Sequence, residues 1–271
     1  MHNIVNSTKP KLGTLPGFWE TDLFPFEEVE PIYATALPGF TPHEVIVYEN
    51  VFTKSECQKL IDFMNQSPNF EEVGVQGMKD QKDTRIGSLR TSIWSPKIAG
   101  FIWNRIVEYL PGTIQFNKST STDWWQGEYS GLRLEKDEIT VQGDPIAISP
   151  LLRFMKYGNE GQHYAHYDAS FIYPEQQFRS LKSMVIYLTT NENAATRFIR
   201  DEQTKKPIWD RNHEDWNRPV LDEEVIAKSE CIAGNVLFFD HRICHDVQQY
   251  FGNTERVIIR GDLIYELFYS K

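Results

Sequence analysis

The sequence predicts a mainly β (α+β) protein, in which N-terminal helices support an all-β sandwich or barrel. Helical periodicity is confined to two stretches, near 53–64 and 95–110, and largely disappears after about residue 130. Short apolar runs then follow at Ile146–Tyr157, Ser183–Leu188, Asn235–Phe239 and Val257–Phe268, separated by polar or Gly-containing connections. Aromatic residues make up 13% of the 271-residue chain, which suits a wide core or a lined cavity.

Residues 1–41 are rich in proline and glycine and show no sustained period, so they read as an arm lying over the domain. Phe18, Trp19, Phe24, Phe26 and Tyr33 are its candidate anchors. Residues 42–271 read as one domain, with helical support over about 42–130 and a β core over about 131–271. His43–Glu49 alternates and predicts a strand. Thr53-x-x-Glu56 is a capping box opening a helix whose apolar face is Cys57, Leu60, Ile61 and Met64. Ser95-Pro96 starts a second helix, with Ile98, Ile102, Ile106 and Tyr109 at helical spacing and a stop at Pro111-Gly112. Residues 67–94 read as loop and short strand. Residues 191–230 read as a long charged connection, of the kind that forms a lid or substrate rim.

The net charge of −10 argues against a nucleic-acid partner and gives no attraction to an anionic membrane. Cys57, Cys231 and Cys244 are too few and too scattered for a disulfide framework or a cysteine-rich zinc site. The N-terminus has no apolar signal region and no run is long enough to span a bilayer, so a soluble cytoplasmic protein is expected, monomer or homodimer.

The chemistry concentrates in His166-Tyr167-Asp168 and the distant His245. Two imidazoles and a carboxylate form the facial triad of non-haem iron(II) oxygenases, which leaves iron positions open. On a strand, His166 and Asp168 share a face while Tyr167 points away. His241 is a rival distal ligand, better read as a turn residue after Val236–Phe239. His163 is a rival to His166, but three residues apart on a strand the two face opposite sides. An open iron needs an electron source; where that source is 2-oxoglutarate, its distal carboxylate needs a basic partner, ideally arginine. Arg256 and Arg260 share a strand face about 13 Å apart, so only one can clamp the same carboxylate.

Leu152-Arg-Phe-Met-Lys-Tyr157-Gly158 followed by His163–Asp168 resembles the R-x-x-x-Y-x-x-G…H-x-D block of the prolyl 4-hydroxylase-like branch of the Fe(II)/2-oxoglutarate-dependent oxygenases. Ser183–Thr189 resembles that family's Y-L-N strand, and Ala194-Ala195-Thr196-Arg197-Phe198 stands where many members have G-G-x-T-x-F. Gly234–His245 and the stretch to Arg256, followed by Arg260–Tyr265, resemble the closing block. The likeness covers about residues 43–268, in order. The chain departs from the pattern in the Ala-Ala pair, in arginine rather than lysine at 256, and in a spacing from His245 one residue longer than usual.

The resemblance implies a double-stranded β-helix (a distorted jelly roll) and a 2-oxoglutarate-dependent hydroxylase. It implies His166, Asp168 and His245 as catalytic iron ligands and Arg256 as partner of the 2-oxoglutarate C5 carboxylate. Tyr187 would hydrogen-bond that same carboxylate and Tyr157 would border the cosubstrate or substrate, with core roles weighed beside both, and Arg90 is read as a surface residue that could reach the substrate side. Oxygen is the co-reactant, and ascorbate stays open as a reductant. A peptidyl proline-type substrate is the default; a free amino acid or other small metabolite is the alternative, since fold does not fix substrate. The contrasting class is a non-catalytic jelly-roll binding protein, which would have no need of the triad and Arg256 together.

Overall fold

The computed structural model describes residues 27–66, 70–72, 85–117, 140–171, 178–201 and 218–270. In chain order the elements are β1 (Tyr33–Ala36), β2 (Val45–Glu49), α1 (Lys54–Asn65), β3 (Glu71–Glu72), β4 (Arg85–Trp94), α2 (Pro96–Ile106), β5 (Ile114–Asn117) and β6 (Thr140–Ile148). They continue with β7 (Leu151–His166), β8 (Phe178–Tyr187), β9 (Asn191–Ile199), β10 (Val225–Cys231), β11 (Val236–Asp240), β12 (His245–Val247) and β13 (Arg256–Ser270). The strands form one antiparallel sheet, ordered β1-β2-β11-β8-β13-β7-β12-β9-β10, with β4 on β7 and β6 on β13. It curls on itself into a jelly-roll core buttressed by the two helices.

The curl explains why the core strands read as continuous apolar runs rather than alternations: both faces are covered, so neither needs polar side chains. On β11, Val236 and Phe238 join the helix-packed core, while Leu237 and Phe239 join the inner core. Met184 and Ile186 on β8 pack outward against Val185 and Tyr187 inward; Val257 and Ile259 on β13 likewise oppose Ile258. Each such side chain contributes roughly 1.5–3 kcal/mol on burial. The outer core takes Cys57, Leu60 and Met64 from α1 and Ile98, Ile102 and Ile106 from α2.

The capping box of α1 forms as expected: Thr53 Oγ1 accepts from Glu56 N at 3.1 Å and Glu56 Oε2 accepts from Thr53 N at 2.9 Å. Ser95 caps α2 through Ile98 N, with Pro96 in the first turn. α2 ends at Ile106 rather than near Tyr109, which is exposed; Tyr109 N and Leu110 N both turn back onto the Ile106 carbonyl before Pro111. Within the expected arm, residues 33–36 form β1 on β2, and Tyr33 is 59% exposed, so it anchors nothing. Phe18, Trp19, Phe24 and Phe26 lie outside the described residues. Glu27 ties the arm to α1 by accepting from Ser55 and Lys59.

Two further expectations are corrected. Residues 85–94 make a ten-residue strand, β4, where only short strand was expected. The segment 191–230 is not one connection, because β9 and β10 occupy its ends and pair with each other. β10 buries Ala227, Ser229 and Cys231, too small to register as an apolar run, and β9 buries Arg197 against Asp246, so charge hides the strand.

Gly234 fixes the junction between core and helices. Its φ is +92°, its carbonyl accepts from Val51 N and Phe52 N, and its N–H donates to the Tyr187 carbonyl. An added Cβ would stand 2.2 Å from the Phe52 carbonyl oxygen. Gly234→Ala should therefore cost roughly 1–3 kcal/mol. At this size that is a fall in Tm of about 3–10 °C. Gly100, inside α2 with nothing within 4 Å of its would-be Cβ, is the contrast; Gly100→Ala should add about 0.5–1 kcal/mol. Thermal melts of both variants check the assignment, and an unchanged Gly234→Ala melt would contradict it.

Candidate metal centre

His166 closes β7 and His245 opens β12, and the two are directly paired across those strands. Asp168 lies two residues beyond the end of β7, not on it, so strand alternation does not orient it. This also removes the argument for Tyr167 pointing away: Tyr167 lines the same cavity as Asp168. The three side chains nevertheless bring one ligand atom each within 4.8 Å of one another.

β7 carries an irregularity here. His245 pairs with His166 but Val247 pairs with His163, so three steps on β7 face two on β12. Such a β-bulge resets the alternation. His163 therefore stands beside His166, ring centroids 3.6 Å apart, rather than on the opposite face. It is still a poor ligand, because Arg85 Nε donates to its Nε2 at 2.9 Å and occupies that lone pair.

The tautomers of the other two histidines follow from their partners. His166 Nδ1 is 2.8 Å from the Tyr164 carbonyl and His245 Nδ1 is 3.0 Å from the Ile243 carbonyl. A carbonyl only accepts, so each Nδ1 carries the proton and each Nε2 keeps a free lone pair, the arrangement that orients metal-binding imidazoles. Burial holds His166 well below the usual imidazole range and lowers His245, so both are neutral donors at neutral pH. Burial works to raise the Asp168 carboxyl, but the Arg260 guanidinium beside it holds it well below the usual carboxylate range. Two neutral imidazoles and an ionised carboxylate suit a divalent cation of intermediate softness, iron(II) among them.

Asp168 is held by partners remote in sequence. Arg260 Nη2 lies 3.2 Å from its Oδ2, and Ser183 Oγ donates to the same oxygen. Having given away its proton, Ser183 Oγ accepts from His241 Nδ1 at 2.9 Å. His241 Nε2 then accepts from Ser180 Oγ at 2.9 Å. Burial pushes His241 down to about 4, consistent with this neutral tautomer. His241 is thus a turn residue, as expected, but fully buried, with both ring nitrogens engaged.

Arg256 behaves differently from Arg260. Arg260 pairs with Asp168 and Asp262. Arg256 is 0% exposed and forms no ion pair among the described residues. Its Nη2 donates to Thr196 Oγ1 at 3.1 Å, while Nε and Nη1 have no hydrogen-bond acceptor. A buried guanidinium left this way costs several kcal/mol. The guanidinium lies 5.5 Å from the Tyr157 ring and 5.8 Å from the Tyr187 ring. Tyr187 OH donates to Thr196 Oγ1 at 2.9 Å, and Tyr157 OH finds only the Met155 sulfur at 3.9 Å. Thr196 and Tyr157 line the cavity beside Arg256, so the two unpaired Arg256 donors lie next to groups that could receive a carboxylate. Thr196 lies opposite Val247, two residues along from the pairing of Phe198 with His245, so it is on the order of 7 Å from the metal ligands along the strand. The cavity that reaches Thr196, Tyr157 and the three candidate ligands has a volume of about 350 Å³.

No protein-family model and no curated protein matches the chain. Among solved structures it is similar to a prolyl-4-hydroxylase from Pseudomonas putida, at 13% identity, TM-score 0.44, with 82% of this chain and 92% of that one covered. It is similar also to the viral collagen prolyl hydroxylase of Paramecium Bursaria Chlorella virus-1 in its 2OG complex, at 14% identity, TM-score 0.40, covering 82% and 96%. A third is HygX from Streptomyces hygroscopicus with nickel and 2-oxoglutarate bound, at 10% identity, TM-score 0.44, covering 83% of each chain. These are likenesses of chain path; the chemistry rests on the side chains.

Ser183, Thr196 and the buried role of His241 were not singled out in the sequence. Ser183 and Thr196 stand in the quoted strand blocks, but only the folded sheet shows what they touch. Arg90, expected at the surface, is half-buried and lines the cavity. Replacing partners that orient a ligand typically costs 10–100-fold in metal affinity. Ser183→Ala should weaken binding of cobalt(II) or iron(II) by about tenfold or more with the fold retained, and Asp168→Ala should abolish it. A wild-type cobalt titration for Ser183→Ala would show that the hydroxyl does not orient Asp168.

Proposed function

We propose that the chain is a non-haem iron(II), 2-oxoglutarate-dependent dioxygenase that hydroxylates an unactivated C–H bond. The observation that carries this reading is the buried, under-partnered guanidinium of Arg256 beside a His-Asp-His donor cluster. A metal-binding module alone would have no use for it, whereas a dicarboxylate bridging the two sites satisfies both. His166, Asp168 and His245 would hold iron(II), which with electrons from 2-oxoglutarate would let dioxygen act as the oxidant that a C–H bond requires.

The protein's own residues do the rest. His166 and His245 present neutral lone pairs, and Asp168 supplies a carboxylate held ionised by Arg260. Arg256, Thr196 and Tyr157 receive the distal carboxylate, with Tyr187 holding Thr196 in place. Val185, Phe239, Val247 and Ile258 give the cavity an apolar wall that limits water at the reacting centre. Phe239 packs 4.4 Å from the His245 ring and fixes its plane.

A peptidyl residue of the prolyl type is the substrate class that the sequence blocks suggest. The 350 Å³ cavity favours the second reading, a small metabolite, because it lies near the low end of ligand sites and must admit the cosubstrate as well.

Anaerobic addition of iron(II) and 2-oxoglutarate should give a visible metal-to-ligand charge-transfer band. A colourless mixture would favour the non-catalytic binding reading. Arg256→Ala should raise the 2-oxoglutarate concentration for half-maximal band intensity by roughly 10–100-fold, the worth of a charge-assisted pair. Arg260→Gln should act instead on iron affinity, through Asp168. Equal effects of both variants on the 2-oxoglutarate titration would defeat the assignment of Arg256.

A further inference from the structure

The cavity over the candidate metal ligands carries a charge that the proposed reaction does not use. Among the described residues its wall holds four guanidinium groups, Arg85, Arg90, Arg153 and Arg260, against one carboxylate, Asp168. The whole chain has a net charge of −10, so this is a local inversion of sign. The metal and cosubstrate leave it in place: a divalent cation and a dicarboxylate cancel, and the distal carboxylate goes to Arg256.

The arginines sit on three adjacent strands. Arg153 on β7 is directly opposite Arg260 on β13, a placement in which like charges repel. Asp262 stands between them, but it lies 3.0 Å from Arg260 Nη1 and 3.3 Å from Arg153 Nη1, and Arg260 takes the closer share. Burial and then the neighbouring Arg260 pull the Arg153 guanidinium below its usual range. Arg90 on β4 is opposite Met155, two residues from Arg153 on the same face, so Arg90 and Arg153 are diagonal neighbours about 7–8 Å apart. Arg85 donates its Nε to His163, and no described carboxylate forms an ion pair with it. A neutral or cationic substrate would leave the charge of Arg153 and Arg85 facing it across the cavity. A carboxylate or phosphate would satisfy it, and arginine forks match both geometries.

We infer that the substrate is a small molecule bearing a carboxylate or phosphate group, which Arg153 and Arg85, with Arg90 beside them, hold while its reacting carbon faces the metal ligands. This rests on the oxygenase reading above. About 350 Å³ must hold the cosubstrate as well, so the part of the substrate held inside the cavity is the size of a small metabolite.

The test is calorimetric binding to the protein loaded anaerobically with iron(II) and saturating 2-oxoglutarate, so that the Arg256 site is filled. The probes are inorganic phosphate, benzoate and the neutral benzamide. Phosphate or benzoate should bind at one site, with affinity falling as salt rises, and benzamide should not bind; whichever anion binds more tightly identifies the group. Arg153→Gln and Arg85→Gln should each weaken that binding about tenfold or more, while their 2-oxoglutarate titrations by charge-transfer band stay unchanged. Arg153→Lys, which keeps the charge, should recover part of the loss, so that misfolding is separated from lost recognition. Absence of binding by both anions, equal binding of benzamide, or wild-type affinity in both glutamine variants would overturn the inference. A glutamate-rich peptide binding tenfold or more tighter than either anion would overturn the small-molecule assignment in favour of an acidic peptide. If no charge-transfer band forms but the anions still bind through Arg153 and Arg85, the oxygenase reading fails and the anion site stands.

Discussion

Asp168 is an ionised carboxylate in a buried position, and that requirement organises the centre of the molecule. Removing a charge from water costs several kcal/mol unless partners replace the lost hydration. Here the partners come from two separate strands and a turn: Arg260 from β13, Ser183 from β8, and His241 behind Ser183. None of these can be supplied unless the sheet curls far enough to bring β8 and β13 around the end of β7. The jelly-roll closure and the charge at the site are therefore one problem with one solution.

The sheet meets this requirement by giving its two faces different tasks. Alternate residues of β8, β11 and β13 build the helix-packed core, which needs only apolar volume, and the intervening ones face inward toward the cavity. Chemistry on the inner face is thereby insulated from the packing that carries most of the stability. The bulge at the end of β7 refines the arrangement. By setting three residues against two, it stacks His163 on His166 and lets Arg85 of β4 reach it, so β4 becomes part of the cavity wall rather than a remote edge.

What the sequence disclosed divides along the range of the interactions involved. The Thr53 capping box and the Ser95-Pro96 start were legible because each is closed within four residues, and both form. The strands buried on both faces were legible as apolar runs. β9 and β10 were not, because their inward residues are small or are charges paired across the sheet, as Arg197 is with Asp246. The pattern of His166, Asp168 and His245 could be picked out through residue type and order. The proton arrangement at Ser183 and His241 could not, since it follows from partners brought together only by the curled sheet. The side of β7 on which His163 stands depended on a bulge, for which the sequence offers no marker beyond a loosely glycine-containing stretch.

The contrast between Arg256 and Arg260 shows how burial without a partner becomes informative. The two share a strand face, and the spacing alone leaves either free to receive a carboxylate. Arg260 is satisfied within the protein by Asp168 and Asp262, so the fold already accounts for its charge. Arg256 is not; two of its buried donors face no acceptor among the described residues. A fold that retained such a group for packing alone would be more stable with an apolar side chain of similar volume. The stabilising partner must then come from outside the chain, and the neighbouring Tyr157 and Thr196 limit it to an acceptor small enough to sit among them. The same reasoning, applied one strand further along, makes Arg153 the next group whose charge the protein leaves only half balanced.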